Sequence, residues 1–184
     1  MYFSVNTSYK VFMNNVIEKL DSYQIMTNLL PGAFFGMALR FFFELSLPTG
    51  NIGEEILVYY FMGFVINRIG SLIVKPILEK MKFIQEAPYT DYLKAVKVDT
   101  KLDILSETNN YFRSTLTCFV LLPIVGIMRM LIENVSWIGS CWKNLAIVFL
   151  IVLFLFSYRK QTDIVKRRTG AINNQQKVTG NDKQ

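Results

Sequence analysis

The chain has 184 residues, 52% hydrophobic and 18% charged, with a net charge of +6 and no histidine. The charged share lies below the about 25% usual in soluble domains, and the charges clump, leaving long apolar stretches between them, which points to a bilayer rather than to water. The missing imidazole excludes every general base, metal site or nucleophilic triad that depends on histidine.

Along the chain, residues 1–22 come first. Tyr9, Phe12, Val16 and Leu20 fall at helical spacing, which predicts an N-terminal amphipathic helix lying on the membrane surface. Lys10, Glu18, Lys19 and Asp21 interrupt this segment, so no secretory signal peptide is expected in it. Residues 23–78 read as a first transmembrane hairpin, with spans over about Ile25–Leu45 and Ile56–Leu78. Residues 79–113 form a helical connection, in which "SETNN" (Ser106–Asn110) is expected to break the helix and cap the next span. Residues 114–158 hold a second hairpin, with spans over about Ser114–Ile132 and Trp137–Tyr158. Residues 159–184 form a basic tail too poor in apolar groups to fold, and disorder is expected there. The fold class is therefore all-α: an integral membrane four-helix protein. Cys118 and Cys141 fall near opposite ends of the second hairpin and are expected to remain thiols packed as small hydrophobes.

Basic residues orient the spans. The connections around Glu44–Glu55 and Glu133–Trp142 carry no Lys or Arg, whereas Lys80, Lys82, Lys94, Lys97 and Lys101 crowd the middle connection and Arg159, Lys160 and Lys166–Arg168 the tail. The positive-inside rule then places both termini and residues 79–113 in the cytoplasm. At the opposite ends, Arg40 precedes Glu44 by four residues and Arg129 precedes Glu133 by four, each able to pair along one helix face.

The second span carries the densest polarity. At about 100° per residue, Asn67, Arg68, Ser71, Lys75, Gly63 and Gly70 share an arc of roughly 160°, a face that must look into a bundle or a wet cavity. Arg68 precedes Lys75 by about 10 Å at ~1.5 Å rise per residue, inside the hydrocarbon. With no carboxylate at that depth, its expected partners are Asn28 and a carbonyl that Pro31 or Pro123 frees, at Thr27 or Phe119. Asn28, Asn67, Arg68, Ser71 and Lys75 are thus the candidate intramembrane polar site, suited to an anion or a lipid headgroup. In the connection, Asp99, Asp103 and Glu107 recur every fourth residue on one expected helix face beside Lys94, Lys97 and Lys101. Those six residues are the candidate docking face for a soluble partner.

"NLLPGAFF" (Asn28–Phe35), "NRIGSLIVKP" (Asn67–Pro76) and "LSETNNYFRS" (Leu105–Ser114) resemble motifs of small four-pass bacterial membrane proteins, some of which serve in anti-phage systems, including Kiwa and accessory proteins of RNA-targeting CRISPR loci. The resemblance covers most of residues 24–115. It implies a non-enzymatic, oligomeric inner-membrane subunit of a defence system that senses or perturbs the membrane and docks a cytoplasmic partner. The residues alone leave an alternative, a small stand-alone channel or transporter with a cationic cavity facing the cytoplasm. A lipid-modifying membrane enzyme is disfavoured, since acid–base chemistry needs perturbed groups gathered in a pocket. The expected partners are the lipid bilayer, further copies of the chain and a soluble protein, with no cofactor, no metal ion and no direct nucleic-acid binding.

Overall fold

The computed structural model of the chain describes residues 22–45 and 50–181. Every regular element among these residues is helical. A short turn at Ser22–Gln24 passes through a wide π turn, Ile25–Leu29, into helix α1, Leu30–Phe43. Helix α2, Ile52–Ile69, passes through a second π turn, Gly70–Val74, into α3, Lys75–Lys80. A non-helical stretch leads to α4, Tyr89–Val98; then follow α5, Lys101–Asn134, and α6, Ser136–Asn181. Four segments are long and apolar enough to cross a membrane: Ile25–Phe43, Ile52–Lys80, Lys101–Asn134 and Ser140–Ala171. The expected surface helix of residues 1–22 falls, except for Ser22, outside the described residues.

Both π turns have one cause. Leu30 N–H bonds to the Ile25 carbonyl and Lys75 N–H to the Gly70 carbonyl, each five residues back, and each donor is followed directly by a proline, Pro31 or Pro76. A proline ring inside an α-helix presses on the carbonyl four residues before it and offers no N–H. Widening one turn relieves that clash while the chain stays helical. The cost is a carbonyl whose π-spaced donor would have been the proline, Ser71 in the case of Pro76, and such a group needs another partner.

Spans one and two touch backbone to backbone. A Cβ on Gly63 would overlap the Asn28 carbonyl and lie 3.0 Å from Gly32 N, while a Cβ on Gly32 would overlap the Tyr59 carbonyl and lie 2.7 Å from Gly63 N. Each glycine Cα–H therefore faces a carbonyl of the other helix, a weak reciprocal bond common where helices cross closely. Phe35, Ile66 and Cys118 form the core of α1, α2 and α5, with Leu39, Met62, Leu121, Leu122 and Val125 around them. Helix α6 leans on α2 through Phe154, whose ring centroid lies 6.3 Å from that of Phe61 and 5.7 Å from that of Phe64. Phe119, Ile127, Phe149 and Phe156 point outward, as side chains solvated by acyl chains do. Cys118 is buried and Cys141 half-buried, and neither is in a disulfide.

Some boundaries fall elsewhere than expected. Helix α5 runs unbroken through Ser106–Asn110. Capping needs side chains that turn back on the backbone ahead of them, but Thr108 Oγ1 donates to the Ile104 carbonyl within the helix (2.9 Å) and Asn110 Nδ2 reaches across to Tyr23 Oη (3.2 Å). The break comes earlier, at Asp99, which is extended (φ −126°, ψ 103°) and whose Oδ1 accepts the Lys101 N–H at 2.9 Å. Asp99 thus opens α5 with an Asx turn and does not share a helix face with Asp103 and Glu107. Past Arg168, α6 stays helical to Asn181; a helix already nucleated extends through polar residues without the cost of starting one. The Arg129–Glu133 pair forms, at 2.8 Å. Arg40 and Glu44 form no ion pair, because Glu44 turns into the left-handed region (φ 55°) to end α1. The Arg129 guanidinium reaches that terminus and donates to the Phe43 carbonyl, one of the acceptors a helix leaves open at its C-terminus.

The α4–α5 corner is held by Tyr92 Oη donating to Asp103 Oδ1 at 3.0 Å. Burial in the corner, then the Asp103 carboxylate acting against a Ser106 hydrogen bond, pushes the Tyr92 phenol above its ordinary value. A raised folded-state value for an acid that is neutral when protonated means this contact is complete below pH ~10 and is lost as the pH climbs through the shifted value. Ultraviolet titration is expected to show a late-ionising tyrosine that the Tyr92→Phe chain lacks.

Candidate functional site

The polar groups of three spans meet at one end of the bundle, the end that carries Lys80 and Lys82, here called the basic end. Asn67 is the hinge of the arrangement. Its Nδ2 donates to Asn28 Oδ1 (3.0 Å), and its Oδ1 accepts from Arg113 Nη2 (2.8 Å). Asn28, only 2% exposed, donates in turn to Gln24 Oε1 (2.6 Å), which also accepts from Tyr60 Oη (3.3 Å). The result is a continuous chain, Tyr60–Gln24–Asn28–Asn67–Arg113, that leaves the second span for the start of the first, returns to the second at Asn67 and ends on the third. The π turn at Ile25–Leu29 helps to place it: Asn28 is held at the glycine crossing, and Thr27 Oγ1 turns back onto the Tyr23 carbonyl (2.6 Å).

Arg68 is not in this chain, contrary to the expectation that it would bond Asn28. About 100° round the helix from Asn67, it lies over the Phe64 ring, 4.8 Å from the centroid, on the side where Phe64 meets Phe154 of α6. A cation over an aromatic face is partly stabilised even without an ionic partner. Its Nε is buried and makes no hydrogen bond. The cation that does meet the asparagines is Arg113, the residue just before the expected start of the third span. Asn110, Arg113 and Thr117, at the three- and four-residue spacing of one helix face, are the signal that points to it.

A second polar contact grows from the other π turn. The Ser71 carbonyl, which Pro76 leaves without its π-spaced donor, accepts from Lys160 Nζ at 2.6 Å, and Ser71 Oγ accepts from the same ammonium at 2.8 Å. The proline, the widened turn and the lysine form one device that pins α6 to α2. On its other side this turn packs on α5, where a Cβ on Gly70 would lie 2.6 Å from Thr117 Oγ1 and 3.4 Å from Arg113 Cγ.

Lys75 belongs to the surface of the site. Its Nζ lies 2.5 Å from Glu86 Oε2 and 3.8 Å from Glu79 Oε1, with the lysine side chain 20% exposed and the Glu86 side chain 47% exposed. Arg113 is within electrostatic reach of Arg68 and Glu86, and Lys160 of Lys75, Arg113, Glu79 and Glu86. Three cations, Lys75, Arg113 and Lys160, thus gather around Glu79 and Glu86. Of the sequence candidates, Asn28 and Asn67 meet directly, Ser71 and Lys75 flank them, and Arg68 stands apart on the α6 side. Arg113, Lys160, Gln24 and Tyr60 complete the site. Chemically, Arg113 and Lys160 are met by neutral amide, hydroxyl and carbonyl acceptors, whereas Lys75 is met by carboxylates.

The docking candidates lie beyond this end. Lys94 stands 3.9 Å from Asp91 on α4, Lys97 is in the last turn of α4, and Asp99 and Lys101 make the corner. Asp103 and Glu107 share a face of α5, where Asp103 is held by Tyr92.

Four long apolar helices, three of them joined at one end by a polar chain, define an all-α, multi-pass membrane protein. Neither family models, nor curated proteins, nor solved structures give a match to the chain.

Proposed function

We propose that this protein is a non-enzymatic subunit of a bacterial inner-membrane assembly that relays the state of the membrane to a soluble protein. In this reading both termini and the connection between spans two and three lie in the cytoplasm, as the positive-inside rule directs. Several copies assemble side by side, and the motif resemblance makes anti-phage defence the setting. One observation carries the relay: α5 is a single helix from Lys101 to Asn134. Asp103 and Glu107, at its exposed end, and Arg113, in the polar chain, therefore sit on one stiff element. Any shift at Arg113 is felt two turns away, where a partner would dock.

The test is charge reversal of Asp103 and Glu107 to lysine in a host challenged with phage. The expected result is normal membrane insertion, loss of the soluble protein that co-purifies with the parent chain, and loss of protection by at least the roughly tenfold that ~1.4 kcal/mol of lost docking gives. Protection that persists in the reversed variant refutes the relay, and a parent chain that gives no protection refutes the defence setting.

A further inference from the structure

A cleft of about 410 Å³ opens at the basic end between the close of the second span, the 83–86 stretch and the first turns of the third span. Its lining changes character with depth. Asn109, Lys75 and Arg113 supply the polar groups, and Phe112, Leu116 and Phe119 continue the wall along α5 into the apolar span. From Asn109 to Phe119 the helix rises about 15 Å at ~1.5 Å per residue, a length that takes a phosphate at one end and several methylenes at the other.

Charge points the same way. Arg113 gives one amine to Asn67 and has its Nε buried without a partner. Lys75 is held by Glu86, whose half-exposed side chain stands on non-helical backbone and can leave without unwinding a helix. With Lys160 behind them, these cations outnumber the neighbouring carboxylates, Glu79 and Glu86, three to two.

We propose that this cleft binds one anionic phospholipid, its phosphate between Lys75 and Arg113 in place of Glu86 and one acyl chain along Phe112, Leu116 and Phe119. Free anions would use the cations but leave the apolar wall bare. Zwitterionic lipids would fill the wall but bring no net charge to the cations. Only an anionic amphiphile satisfies both halves in the order in which the bilayer presents them. The site stands independently of the relay to a soluble partner.

The experiment is native mass spectrometry of the full chain in neutral detergent, titrated with dioleoyl phosphatidylglycerol or dioleoyl phosphatidylcholine, with and without inorganic phosphate. Two cations at the headgroup predict a preference for the glycerol lipid of roughly tenfold or more. Lys75→Gln is expected to lower that preference several-fold. Leu116→Trp and Ile84→Trp, which fill the cleft from opposite walls, are each expected to abolish the tight adduct, and either one that folds suffices. Equal affinity for the two lipids overturns the proposal. So does an adduct that survives the cleft-filling substitution, which marks lipid held only at the bundle's outer surface. Full competition by inorganic phosphate also overturns it, because the site would then be one for free anions. Recovery of a soluble partner, measured on the same variants, reports on the relay separately.

Discussion

Replacing Gly63 with alanine is expected to be among the most damaging single changes in this chain, although it adds one methyl group. The obstacle is the Asn28 carbonyl with its carbon, which a Cβ would meet at 2.6 Å, and Gly32 N at 3.0 Å. Side chains can rotate away from an added atom; the backbone of a neighbouring helix cannot. The two helices must therefore separate or roll. Overfilled cores cost about 1–3 kcal/mol, and here the upper end applies because separation also stretches the Asn28–Asn67 hydrogen bond of 3.0 Å one turn away. Gly32→Ala meets the reciprocal obstacle at Tyr59 and Gly63 and is expected to behave alike. Gly70→Ala should be milder, since the atom in its way is Thr117 Oγ1, at the end of a side chain. Gly170→Ala, with nothing within 4 Å of its new methyl, is expected to be neutral or stabilising by up to about 1 kcal/mol through helix propensity. Melting temperatures in one detergent test the ranking, and a Gly63→Ala chain as stable as the parent would contradict the backbone contact.

That ranking shows what periodicity reveals and what it hides. A face of small and polar residues on the second span is plain from spacing alone, and Gly63, Gly70, Asn67 and Ser71 all pack inward on it. The same wheel does not say which neighbour each residue meets. Arg68, as the charge deepest in the span, looks like the centre of the site, yet it sits one position round from Asn67 and so faces α6. Arg113 stays hidden because a charge at the end of an apolar run reads as a boundary, although its backbone continues the helix on both sides. The π turns are equally hard to foresee. A proline predicts an orphaned carbonyl four residues back, but the widened turn moves the orphan to five, at Ser71, and thereby gives Lys160 its acceptor. The Asp99 break reflects a competition between two local structures, a helix with charges every fourth residue and an Asx turn. The turn prevails there, while "SETNN", whose polar groups find partners elsewhere, remains helix.

The double substitution Asn67→Leu with Arg113→Met is expected to be more stable than Asn67→Leu alone. In the parent chain the Asn67 amide faces two ways, giving a proton to Asn28 and taking one from Arg113 at 2.8 Å. Leucine at position 67 removes both contacts, leaving Asn28 Oδ1 without its donor and the guanidinium without its acceptor. Hydrogen bonds between membrane helices are worth about 0.6 kcal/mol on average and up to ~1.7. An arginine costs about 2.5–3.5 kcal/mol at the centre of the bilayer on an insertion scale, and even half of that, nearer the headgroups where Arg113 lies, exceeds an average interhelical hydrogen bond. The charge is thus the larger loss, and it arises only while Arg113 is present. Taking Arg113 away from the Asn67→Leu chain removes a penalty; taking it away from the parent removes a satisfied contact. The two substitutions should therefore be non-additive by about 1–3 kcal/mol, in the direction of rescue. Reversible unfolding of the four chains in the same lipid or detergent measures this directly. Additive effects would mean that Arg113 escapes to water when Asn67 is lost, and that the polar chain joining the three spans is only an incidental contact.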